Sequence, residues 1–160
     1  MNYLAHLFLS QPNSQSLTGN LMGDFAKGVD LNMLPKTIHN GVLNHRFVDR
    51  YTDKHRQVKQ LKLLVSPQRK RFSGVISDVV FDHFLAKHWS LFSEQSLNSF
   101  SQDCYQKLLQ QTCIMPERMK FVVERMSAGN WLESYKHLEN IGFALDGIAR
   151  RIRFETNLHG

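Results

Sequence analysis

Val75-Ile76-Ser77-Asp78-Val79-Val80-Phe81-Asp82-His83-Phe84-Leu85 is the stretch on which the fold turns. Placed on a helix at about 100° per residue, Val75, Ile76, Val79, Val80, Phe81, Phe84 and Leu85 point almost all the way round. A helix apolar on every side is expected at the centre of a bundle, buried by its neighbours. Asp78 and Asp82, four residues apart, share one face of it between Val75 and Leu85. Two like charges side by side in apolar surroundings are costly unless a cation compensates them. Lys or Arg from another helix would make this a structural ion pair; a divalent metal would make it a site. His83 follows about 100° further round.

The same reading extends in both directions. Three of the four prolines (Pro35, Pro67 and Pro116) precede long segments of helical period, and proline suits the first helical turn, where its missing N–H costs nothing. Pro35 opens a helix expected to run towards Leu64, with Gly41 a weak point inside it. Ser66-Pro67 opens one to about Trp89. Met115-Pro116-Glu117 opens a third, which Ser127-Ala128-Gly129-Asn130 should end. Two more segments follow the 3.6-residue pattern, from about Gln95 to Gln111 and from Trp131 to Ile152. A short helix to Ser10 and another through Leu21-Met22-Gly23-Asp24-Phe25 complete the chain. Sustained two-residue alternation, internal repeats and linkers are lacking, so the expected fold is all-α in one domain.

A length of 160 residues suits one domain with a core of its own. With 42% apolar and 21% charged residues the composition is that of an ordinary globular protein, which excludes a disordered or collagen-like chain. The N-terminal stretch has no basic region and contains His6, which argues against a secretory signal, and no apolar run is long enough to span a membrane. Cys104 and Cys113 lack CxxC spacing and read as small buried or half-buried side chains of a reduced, cytoplasmic protein. The formal net charge of +6 favours an anionic partner: nucleic acid, an anionic membrane or an acidic protein.

A second polar stripe lies in the preceding helix. His45, Asp49 and Asp53 are spaced by four, with Arg46 and Arg50 beside them and Val42, Leu43, Phe47, Val48 and Tyr51 on the apolar side. Two helices offering carboxylate or imidazole at i and i+4 are a common way to build a metal site lined by oxygen and nitrogen. Neighbouring guanidiniums suit a phosphate. Asp24 and His6 are further ligand candidates. The plainer alternatives are an exposed salt-bridged face for the His45 stripe and a satisfied core histidine for His6. Arg69-Lys70-Arg71 and the Arg150 cluster read as solvated surface, with docking as the lesser role. Trp89 and Trp131 read as core anchors or caps.

Four blocks occur in order: Met1-Asn2-Tyr3-Leu4-Ala5-His6-Leu7, Gly19-Asn20-Leu21-Met22-Gly23-Asp24-Phe25, His45-Arg46-Phe47-Val48-Asp49-Arg50-Tyr51-Thr52-Asp53, and Asp78 to Leu85 with Trp89. Together they resemble the acyl carrier protein phosphodiesterases, a divergent branch of the all-α, HD-type metal-dependent phosphohydrolases. The resemblance implies hydrolysis of the phosphodiester joining 4′-phosphopantetheine to a serine of holo-acyl carrier protein, with Mn²⁺ or a similar divalent ion, in fatty acid biosynthesis. His6, Asp24, His45, Asp49, Asp78, Asp82 and His83 fall on the family's polar motif positions. Members usually continue for a few dozen residues more, so the expected organisation is one HD-like helical domain over residues 1–160 without that C-terminal extension.

Spacing and resemblance together predict metal-assisted hydrolysis, with Asp24, His45, Asp49, Asp78 and Asp82 as the metal ligands. Arg46, supported by Arg50 or Lys27, would offset charge on the phosphate, and His83 or His6 would protonate the departing serine oxygen. The acidic carrier protein then accounts for the basic surface. Two other readings use the same sequence differently: an HD-type phosphohydrolase of a nucleotide or other small phosphodiester, and a basic helical module binding nucleic acid. The second lacks a recognition-helix pattern and any interleaving of aromatic and basic residues.

Overall fold

A computed structural model describes residues 1–142 of the chain. Eight helices lie wholly within the described residues: α1 (Tyr3–Phe8), α2 (Ser14–Met22), α3 (Lys36–Lys54), α4 (Arg56–Leu63), α5 (Ser73–Lys87), α6 (Leu97–Leu109), α7 (Glu117–Ala128) and α8 (Trp131–Ser134), joined by loops and short 3-10 turns. Among the described residues there is no strand, and no helix is long and apolar enough to cross a membrane. The fold is all-α.

Local chemistry sets most of the boundaries. Asn13 caps α2, its Oδ1 accepting from the Ser16 N–H at 2.9 Å, and Ser96 caps α6 through the Ser99 N–H at 3.1 Å. Pro35 and Pro116 stand immediately before α3 and α7. The α7 helix ends where Asn130 takes the left-handed conformation, φ 46°. The helix expected from Ser66 begins instead as a 3-10 turn over Pro67–Phe72, with α5 following from Ser73. Of the helix expected from Trp131 to Ile152, α8 stops at Ser134 and residues 138–142 are helical again; its remainder and the Arg150 cluster lie outside the described residues.

Two expectations are corrected. The helix from Pro35 does not reach Leu64, because it breaks at His55, which is extended (φ −65°, ψ 136°). Continued straight, it would carry Val58 round to the solvent-facing side with the exposed Phe47 and Tyr51. The break turns Val58 inward, and it is buried. Nor is α5 enclosed on all sides: Phe84 is 49% exposed, and Val75, Ile76, Val80, Phe81 and Leu85 are only half-buried. Its buried positions are Ser77, Val79, Asp82, His83 and Ala86, so three polar side chains face inward.

The core runs through α1, α2, α3, α6 and α7, with Leu4, Leu17, Leu21, Ile38, Leu108 and Met126 among its fully covered side chains. Helices α2 and α3 cross with Gly19 against Gly41. A Cβ on Gly19 would stand 2.1 Å from the Ile38 carbonyl oxygen and 2.8 Å from the Gly41 Cα. The glycine that weakens α3 locally is the one that lets α2 approach. Trp89 is buried and donates its indole N–H to the Gln95 carbonyl at 2.7 Å, which makes it a core anchor. Cys104 is buried and Cys113 exposed, both free.

Candidate metal centre

The i, i+4 spacing on α3 puts His45 and Asp49 side by side, and α1 supplies the third group. His45 Nε2 lies 3.1 Å from Asp49 Oδ2, and His6 Nε2 lies 3.1 Å from Asp49 Oδ1. The two imidazoles stack, with centroids 3.7 Å apart and planes 18° from parallel. The donor atoms of His6, His45 and Asp49 all fall within 4.8 Å of one another. Asp24, at the end of the α2 segment, brings Oδ1 to 3.5 Å from His45 Nε2.

The surroundings orient these groups. His45 Nδ1 is 2.7 Å from the Asn20 carbonyl oxygen, so it carries the proton and donates it there. That leaves the Nε2 lone pair facing Asp49, the arrangement in which metal-binding histidines are commonly held. Gly23 makes room for the ring: a Cβ there would stand 2.2 Å from the His45 Cγ. His6 is fully buried, and its ring nitrogens make no regular hydrogen bond among the described residues; Nε2 faces Asp49 Oδ1 at 3.1 Å. A buried polar atom without a partner is costly, and an ion at the cluster would supply a partner for Nε2, the nitrogen that faces Asp49. Two imidazole nitrogens with carboxylate oxygens suit a divalent ion such as Mn²⁺ or Zn²⁺. The residues fit the group.

Burial pushes the Asp49 carboxyl up, but His45, His6 and the N-terminal ammonium outweigh it and hold the group well below the usual carboxylate range. Burial likewise opposes a proton on His45, while Asp49, Asp24 and the Asn20 carbonyl raise its pKa above the ordinary value. The Met1 ammonium bridges Asp49 Oδ1 at 3.1 Å and Asp78 Oδ1 at 2.9 Å. Burial and the charges of Asp49 and Asp53 nevertheless leave Asp78 with a raised pKa.

Asp78 and Asp82, read as a pair, have separate partners. Asp82 is completely buried and accepts from the backbone N–H groups of Leu4 at 2.8 Å and Ala5 at 3.0 Å. These are donors that the first turn of α1 leaves free, and Asn2 does not cap them with its side chain. Asp82 therefore caps α1 from across the fold and fixes the helix that carries His6. His83 is tied through Nδ1 to the Tyr135 carbonyl at 2.8 Å. Neither Asp82 nor His83 is among the three side chains whose donor atoms converge. Arg46, Arg50 and Lys27 are exposed, and Asp53 pairs with Lys62 at 2.7 Å. The sequence offered His6 both as a ligand candidate and as a proton donor; its donor atom lies in the cluster with His45 and Asp49. The contributions of the Asn20 carbonyl and Gly23 were unread, although both lie in the Gly19–Phe25 block.

Burial pushes the Asp82 carboxyl up to about 7 from an ordinary 3.8, against the pull of the Ala5 and Leu4 amides. Between those two values the folded chain holds a proton that the unfolded chain releases, so stability falls as pH rises through that window. His45, also raised, stabilises below its unfolded pKa and loses that contribution as pH rises through the folded one. Metal-free protein is expected to be more stable to urea at pH 5 than at pH 8. In Asp82→Asn the Asp82 share disappears and the pH slope becomes shallower; an unchanged slope would contradict this assignment.

The model of a family described as acyl carrier protein phosphodiesterase matches residues 1–160. A protein of that name from Serratia proteamaculans (strain 568) is 37% identical over 152 residues, covering 94% of this chain and 79% of the relative. One from Yersinia pestis is 36% identical over the same shares, and one from Klebsiella pneumoniae subsp. pneumoniae is 34% identical over 98% of this chain and 82% of its own length. No solved structure matches the chain. The four sequence blocks and the full-length match agree: this chain belongs to the acyl carrier protein phosphodiesterase family.

Proposed function

We propose that this chain, one HD-like helical domain, hydrolyses the phosphodiester between 4′-phosphopantetheine and a serine of holo-acyl carrier protein, releasing phosphopantetheine and apo-protein. The observation that carries the metal-dependent form of this reading is the buried His6–His45 stack, with its ring nitrogens gathered against Asp49. His6, His45 and Asp49 would hold a divalent ion, Mn²⁺ first among candidates, with Asp24 beside them. Bound there, the ion supplies a water of lowered pKa and polarises a phosphoryl oxygen. The Asn20 carbonyl keeps His45 in the correct tautomer, and Asp82 holds α1 so that His6 stays in place. Water adds to phosphorus, the P–O bond to serine breaks, and the serine oxygen leaves as the alcohol. Arg46, Arg50 and Lys27 are the cations that would offset phosphate charge. A cytoplasmic setting fits the two free cysteines.

Incubation with holo-acyl carrier protein and Mn²⁺, followed by mass spectrometry, is expected to show loss of phosphopantetheine and no conversion with chelator. Hydrolysis of nucleotides or small phosphodiesters, with the carrier protein left intact under every divalent ion tried, would replace this reading with the small-substrate phosphohydrolase.

A further inference from the structure

The positive surplus of this chain is concentrated in one place. Residues 54–71 contain seven of the 20 Lys and Arg and no Asp or Glu. The whole chain has a net charge of +6, so the rest nets to one negative charge. Helix α4 carries Arg56, Lys59 and Lys62, and the turn after it carries Arg69, Lys70 and Arg71. Among the described residues only Lys62 of these has a carboxylate partner, Asp53, and Arg71 lies over the Phe72 ring at 4.5 Å. Two leucines at the end of α4 stand open to solvent, Leu63 at 73% and Leu64 at 82% exposure.

This segment borders the candidate centre. Helix α4 packs against both α3 and α5, the helices that carry His45, Asp49 and Asp78. Asp53, held by Lys62, is near enough for its charge to act on Asp78. A macromolecule presenting a phosphodiester to the cluster would therefore meet this surface beside it. Cations alone would serve any polyanion; two exposed leucines among them call for a partner with apolar side chains set among acidic ones.

We propose that residues 54–71 form the docking surface for an acidic face of the protein substrate, its carboxylates meeting the Lys and Arg side chains and an apolar residue covering Leu63 and Leu64. The proposal rests on the carrier-protein reading above. Long-range attraction of this kind acts chiefly on encounter and weakens with salt.

The test is the triple charge reversal Lys59→Glu/Arg69→Glu/Lys70→Glu, assayed with Mn²⁺ on holo-acyl carrier protein and on bis(p-nitrophenyl) phosphate. The expected result at low salt is a fall of about tenfold or more in kcat/KM for the carrier protein. The fall should lie in KM and shrink towards about 0.5 M NaCl. The small diester, which needs no docking, should be turned over at the wild-type rate, which also shows that the variant is folded. Leu63→Ser/Leu64→Ser should raise KM for the carrier protein while leaving its salt dependence unchanged. A reversal that leaves carrier-protein kinetics unmoved would overturn the proposal, and its abolishing binding to phosphatidylglycerol vesicles or to an oligonucleotide would assign the surface to that polyanion. A wild type that cleaves the small diester but never the carrier protein would instead overturn the functional reading.

Discussion

Replacing His45 with alanine is expected to lower metal-dependent release of phosphopantetheine from the carrier protein by more than about 100-fold, since even residues that merely support a metal ligand cost about 10- to 100-fold. The substitution removes the cluster imidazole whose tautomer is fixed from behind, by the Asn20 carbonyl at 2.7 Å. It also removes the partner at 3.1 Å from Asp49 Oδ2 and the ring stacked on His6. His6→Ala should act on the same scale, because His6 supplies the other nitrogen. Both variants should bind Mn²⁺ more weakly in calorimetric titration. Metal affinity in the wild type should rise with pH, because the raised pKa of His45 makes a proton compete with the ion. Full turnover and full metal binding by His45→Ala would remove the centre from α3. A stripe that was only an exposed salt bridge would give that result, since such pairs are worth about 0–1 kcal/mol.

The part of this site written within one helix was legible in the sequence. His45 and Asp49 are four residues apart, and a helix of any tertiary setting brings them together. The prolines before α3 and α7 and the Asn130 region after α7 were legible for the same reason, since they act on their own backbone. What distance in sequence hides is who meets whom. The Asp78–Asp82 pair called for a shared cation; in the fold, the Leu4 and Ala5 amides take Asp82 and the Met1 ammonium takes Asp78. Periodicity could not reveal that the first turn of α1 would need an acceptor or that α5 would supply it. The break at His55 was hidden too, because neither glycine nor proline marks it. Its cause is the burial of Val58, a tertiary gain that outweighs continuing the helix.

Gly19→Val is expected to cost about 3 kcal/mol or more of folding stability, a fall in melting temperature of about 6–12 °C for a chain of this length. The added atoms would meet backbone rather than a movable side chain: the Ile38 carbonyl oxygen at 2.1 Å and the Gly41 Cα at 2.8 Å from the Cβ alone. Relief requires α2 and α3 to separate, which opens the contact that buries Leu17, Leu21, Ile38 and Val42. Gly74→Ala in α5 is the matched control. A Cβ there meets nothing within 4 Å, so the change should be neutral or stabilise by up to about 1 kcal/mol through helix propensity. Near-equal melting temperatures for the two variants would show that the crossing tolerates a side chain. Asn20 follows Gly19 directly, and its carbonyl reaches His45 only because the two helices approach this closely. Gly19→Val protein that still folds at low temperature should therefore bind Mn²⁺ more weakly than wild type, whereas Gly74→Ala should bind it equally well.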